Sequence, residues 1–154
     1  LRIHHTKEKN MATAQHPETN ERLQLLQQYH HIEDVGLSNE AYKPSYGVSA
    51  YMQRAGYDII PINPRYAGQE ILGKHVYASL TEAKEAGEPI EIVDVFRRPH
   101  YVPEVANEAI QVGAKAVWVQ LGIRSEEAAQ KVREAGLPYV EDRCIKVEYS
   151  RFFE

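Results

Sequence analysis

Between Val35 and Val48 the chain reads VGLSNEAYKPSYGV, and these residue types could grip an anion. Gly36 ends an apolar segment, and glycine lets backbone approach a ligand closely. Ser38 and Ser45 supply hydroxyls and Lys43 a positive charge. Ser45, Tyr46 and Gly47 stand where a helix would begin. The first amides of a helix lack internal partners and lie at the positive end of its dipole, so they bind oxyanions. If Gly47 faces that anion, a valine there should obstruct it. An ordinary loop with a serine cap contains the same residues, and no G-x-G-x-x-G is present.

Two further stretches carry similar chemistry. In INPRYAG, from Ile62 to Gly68, a site for NAD would place an acid to bind the ribose hydroxyls. Asn63, Pro64 and Arg65 stand there instead. The arginine fork matches phosphate oxygens, so NADP or coenzyme A, each with an extra ribose phosphate, suits this segment better than NAD. In DVFRRP, Phe96 could cover an adenine or a pantetheine arm, and Arg97 or Arg98 could meet phosphate. Pairing of these arginines with surface acids is the competing reading. In QLGIRS, Gly122 would permit close approach.

Signatures of covalent or metal chemistry are missing. There is no H-E-x-x-H, C-x-x-C or G-x-S-x-G, and the paired histidines His4-His5 and His30-His31 have no metal-site spacing. Cys144 lies near Arg143 and Lys146, whose charge would favour a thiolate. A free cysteine is more often a small core residue, and Cys144 is expected to be buried and inert. Trp118 and Tyr139 are expected in the core.

The elements that must position these residues alternate. PETNERLQLLQQYH, from Pro17 to His30, spaces Leu23, Leu26 and Tyr29 as a helix does. A first strand ends at Val35-Gly36. Ser45 is expected to cap a helix from Tyr46 to Ala55, with Gly56 as its stop. Strands follow over 57–62, 90–95, 116–120 and 137–142, and helices over 80–87, 101–113 and 125–136. The segment 63–79 reads as a long irregular connection. Five strand–helix alternations predict an α/β, Rossmann-like three-layer fold with a parallel sheet of about five strands. In such sheets ligands bind at the carboxyl ends of the strands, which is where the anion-binding candidates fall.

One local feature conflicts with this pattern. Glu33 and Asp34 precede Val35, inside what should be a strand buried on both faces. An unpaired buried carboxylate costs several kcal/mol. The expectation is a shortened strand whose N-terminal half is pushed to the surface. The alternative is a set of partners such as His30, His31 or a basic side chain.

At 154 residues the chain fits one domain, with residues 1–16 expected as a disordered extension and 17–154 as the domain. A net charge of -4 argues against nucleic-acid or polybasic membrane binding. No apolar run approaches the ~20 residues that span a bilayer. One cysteine excludes an internal disulfide. These features predict a soluble, cytoplasmic protein.

Taken in order, VGLS…KPSYGV, GYDIIPINPRYAGQEILG, IVDVFRRP, AVWVQLGI and DRCIKVE resemble the small bacterial CoA-binding-domain proteins. These are similar to the CoA-binding domain of the succinyl-CoA synthetase alpha subunit. The resemblance covers about residues 24–148. It implies coenzyme A, or an acyl-CoA, lying across the carboxyl ends of the sheet. Its phosphates would meet Ser38, Lys43 and Ser45 to Gly47, with further contacts around Asn63 to Arg65 and Phe96 to Arg98. The synthetase chemistry is not implied, because its phosphorylated histidine belongs to a separate domain. The expected function is non-catalytic binding of this small molecule, with no protein partner identified. An NADP-binding reductase-like domain, or a partner-binding domain that has lost its nucleotide, are the alternatives.

Overall fold

A sheet of five parallel strands in the order β2-β1-β5-β6-β7 forms the centre of the molecule in the computed structural model, which describes residues 17–154. The extension expected over 1–16 lies outside the described residues. The main-sheet strands are β1 (His31–Val35), β2 (Asp58–Ile62), β5 (Ile92–Val95), β6 (Ala116–Val119) and β7 (Tyr139–Val140). Helices α3 (Leu80–Glu85), α4 (Val102–Gln111) and α5 (Glu126–Glu134) cover one face. Helices α1 (Pro17–Gln28), α2 (Pro44–Arg54) and α6 (Ile145–Phe153) cover the other. The result is the expected Rossmann-like three-layer α/β fold.

Strand alternation separates the two cores. Val35, Val93, Val95, Val117 and Val119 pack under α3 to α5, while Ile32, Ile92, Ala116 and Trp118 pack under α1, α2 and α6. β2 is an edge strand, so the missing N–H of Pro61 leaves no central ladder incomplete. The chain runs from β1 to β2 on one side and returns to β5 on the other. The switch point, and the crevice it opens, therefore lies at the carboxyl ends of β1 and β5.

Glu33 and Asp34 do not shorten β1. The strand is continuous from His31, and both acids are buried, at 0% and 1% exposure. This corrects the expectation of local remodelling. Alternation sends the two side chains to opposite faces, where each meets donors from elsewhere in the fold. The Glu91 amide donates to Glu33 at 2.8 Å, and the Ser49 hydroxyl donates to Asp34 at 2.5 Å. His30 and His31 instead turn their amides to the Glu91 carboxylate.

Two elements were not expected. The irregular connection contains a small hairpin, β3 (Glu70–Ile71) and β4 (Lys74–His75), turned by Leu72 and Gly73 at positive φ. The chain also continues after β7 into α6, whose Ile145, Tyr149 and Phe152 are buried against the sheet. Glu148 on α6 pairs with Arg22 on α1 at 2.5 Å, both buried. No helix of the described residues is long and apolar enough to cross a membrane.

Candidate functional site

The loops leaving the carboxyl ends of four strands enclose a cavity of about 800 Å³. β1 contributes Gly36, Ser38, Glu40 and Lys43, leading into Pro44, Ser45 and Val48 of α2. β2 contributes Asn63, Arg65 and Tyr66; β5 contributes Phe96 to Pro99; β6 contributes Gln120, Leu121 and Ile123. Cys144, just before α6, completes the wall.

Gly36 is held by its surroundings as well as by its conformation. Its φ is +95°, and a Cβ there would lie 2.5 Å from the carbonyl oxygen of Phe96. Its amide donates to Ile62, while the Phe96 amide donates to Val35. The β1 and β5 exits thus run against each other with no room for a side chain between them.

The next loop is tied down by its serines. Ser45 does not cap α2; the cap position is Lys43 and has no side-chain cap bond. The Ser45 oxygen instead accepts from the Ser38 amide at 3.1 Å, and the Ser38 oxygen accepts from the Glu40 amide at 3.0 Å. Each hydroxyl keeps its own proton for donation to a ligand. Asn63 has a similar positioning role. Its amide nitrogen donates to Leu37 and its oxygen accepts from the Arg65 amide, which locks the β2 exit to the β1 exit.

Charge on the wall is predominantly positive. Lys43, Arg65, Arg97 and Arg98 line the cavity against one carboxylate, Glu40. None of the four cations pairs with a carboxylate among the described residues, which contrasts with Arg124 and its two acidic partners beyond the rim. Arg97 stacks on the Tyr101 ring at 4.2 Å, and Arg65 lies over Tyr66 at 5.6 Å. Stacking orients the guanidinium groups and leaves their N–H edges available.

The structure brings nine of the expected residues to this cavity: Gly36, Ser38, Lys43, Ser45, Asn63, Arg65, Phe96, Arg97 and Arg98. Tyr46, Gly47 and Pro64 do not line it. Gly47 is exposed on α2, and a Cβ there would meet nothing within 4 Å. A side chain at 47 would therefore point away from the cavity, and Gly36 is the position where a side chain is excluded. Gly122 also lies off the cavity, its amide held by Asp142 at 2.7 Å. Cys144 is half-buried on the wall rather than buried in the core. Trp118 and Tyr139 are core residues, at 0% and 2% exposure.

Sequence reasoning missed Gln120. Only 4% exposed, it joins the cavity wall to a buried polar chain. Its Nε2 donates to Asp94 at 2.5 Å, and Asp94 stands opposite Asp34, its register partner on β1. Burial raises the pKa of both carboxyls. Asp34 is pushed up to about 6 and Asp94 is raised further by the neighbouring Asp34 charge. The missed signal was the alternation that places Asp94 and Gln120 on the same face at adjacent strand ends.

Comparison with known proteins agrees with this geometry. A family model described as a CoA binding domain matches residues 32–150. The uncharacterized protein YneT of Bacillus subtilis is 42% identical over 136 residues, which cover 88% of this chain and 97% of that one. A solved structure from Thermus thermophilus superposes with a TM-score of 0.81 at 35% identity, covering 86% of this chain and 97% of its own. A hypothetical protein from Pyrococcus horikoshii gives 0.82 at 34% identity, with coverages of 88% and 92%. The chain belongs to the CoA binding domain family.

Proposed function

We propose that this protein binds coenzyme A or an acyl-CoA at the carboxyl ends of its parallel strands and does not transform it. The observation that carries the reading is the cavity at the sheet's switch point, where four cations without carboxylate partners among the described residues converge. A polyanion satisfies those cations, and the Ser38 and Ser45 hydroxyls add donors. Phosphate groups would be held by Ser38, Lys43, Ser45, Arg97 and Arg98. Arg65, at the β2 exit, would take the phosphate on the ribose. Phe96 and Val48 supply apolar surface for the uncharged parts of the ligand.

Calorimetry with CoA, dephospho-CoA, NADP and NAD side by side tests this reading. CoA is expected to bind more tightly than NAD. Dephospho-CoA is expected to be about tenfold weaker than CoA, the usual worth of one charge-assisted contact. Equal affinities for CoA and dephospho-CoA would remove Arg65 from its role. Tighter binding of NADP than of CoA would favour a reductase-like domain instead.

The non-catalytic part rests on the chemistry of the wall. Its one thiol is Cys144, and no histidine lines the cavity to activate that thiol or the Ser38 and Ser45 hydroxyls. Purified protein incubated with acetyl-CoA should release no thiol beyond the buffer rate. Sustained hydrolysis abolished by Cys144→Ser would replace the binding reading with a thioesterase.

A further inference from the structure

The cavity is charged at one end and neutral at the other. Its cations come from the exits of β2, β1 and β5, whereas the β6 exit and the start of α6 contribute Gln120, Leu121, Ile123 and Cys144. Gln120 is the polar side chain of that neutral end that is fixed from behind. Its Nε2 donates to Asp94 at 2.5 Å, and its Oε1 accepts the Ile145 amide of α6 at 3.3 Å. A carboxamide has two N–H donors and two acceptor lone pairs, so one of each is left over. That remainder matches a secondary amide, which also has one donor and one acceptor. A phosphate, which only accepts, would leave the Gln120 acceptor unused.

The support behind Gln120 is a pair of buried acids. Asp34 and Asp94 face each other across adjacent strands, each 1% exposed. Their donors are the Ser49 hydroxyl and the Gln120 amide. The second oxygen of Asp34 is buried without a hydrogen-bond partner among the described residues, on the strand facing Asp94. Between the Asp94 acceptor and the Ile145 donor, the Gln120 carboxamide cannot flip without breaking both bonds.

We propose that Gln120 determines specificity by hydrogen-bonding the uncharged, amide-bearing arm of a CoA-type ligand, and that Asp34 and Asp94 are positioning residues that hold it. This rests on the CoA reading above. It adds a polarity to the site, with the nucleotide over β2, β1 and β5 and the arm towards β6 and α6.

The test compares CoA with adenosine 3′,5′-bisphosphate, which keeps nucleotide phosphates and lacks the arm. In Gln120→Leu, CoA affinity should fall about tenfold, as for an unmade hydrogen bond in a buried site, while bisphosphate affinity stays within about twofold. A second route avoids changing the wall. Asp94→Ala frees Gln120 and should reproduce the selective loss, and Asp94→Asn, which still accepts from Gln120, should restore CoA binding. Equal weakening of both ligands, or no weakening of either, would overturn the inference, as would Asp94→Asn behaving like Asp94→Ala. If neither ligand bound the unaltered protein, the CoA reading would fall and this inference with it.

Discussion

Gly36→Ala should destabilise the protein by about 3 kcal/mol and abolish measurable CoA binding. Two costs act together. At φ +95° any side chain strains the backbone, and the added Cβ would lie 2.5 Å from the Phe96 carbonyl oxygen. That neighbour is backbone at the end of a central strand, so it yields only if the β5 exit moves. Moving it displaces Arg97 and Arg98, which reach the cavity from the same loop. Gly47→Ala is the matched control. It sits in α2 with nothing within 4 Å of the new Cβ, so it should be neutral or stabilise by up to ~1 kcal/mol through helix propensity. Urea unfolding and calorimetry on both variants check the contrast. Equal stability of the two would show that the β1 and β5 exits are not locked together as described.

A comparably large effect is expected from pH acting on the buried acids. Asp34 has an ordinary value of 3.8 and is pushed up to about 6, chiefly by burial. Between those values the folded protein keeps a proton that the unfolded chain has released. Stability therefore falls as pH rises through that window. The loss amounts to about 1.4 kcal/mol per unit, on the order of 3 kcal/mol by pH 7. Asp94 and Glu33 are also raised by burial, so their contributions have the same sign and extend to higher pH. Glu91 opposes them only at acid pH, because its partners, above all His31, lower it. Asp34→Asn removes one of these titrations while still accepting from Ser49 and donating to Asp94. Its stability should match the parent near pH 4 and exceed it by on the order of 3 kcal/mol at pH 7. An aliphatic residue at 34 would instead strand the Ser49 hydroxyl and Asp94. Denaturant titrations at several pH values decide the point: parallel stability curves for parent and Asp34→Asn would mean that Asp34 ionises normally.

Much of the architecture could be read from local pattern. AVWV and IVDV are short, nearly apolar runs that alternate with helices such as the one capped by Ser125, so a parallel sheet covered on both faces was the consistent arrangement. Nine cavity residues followed from looking at strand ends, because parallel strands deliver all their carboxyl ends to one edge. The hairpin at Glu70 to His75 escaped notice because its strands have two residues each and Leu72 is an unusual residue at positive φ. α6 escaped because Cys144 provides no side-chain cap, although Ile145, Tyr149 and Phe152 have helical spacing. The fate of Glu33 and Asp34 was not a local matter at all. Whether a buried carboxyl is tolerated depends on donors brought to it from elsewhere, and these came from Glu91 and Ser49, which lie outside β1. Strand order places β1 beside β5, register sets Asp34 opposite Asp94, and the next strand brings Gln120 within reach. Hydrophobic period fixes which face a residue occupies, but pairing between strands far apart in sequence decides what it meets there.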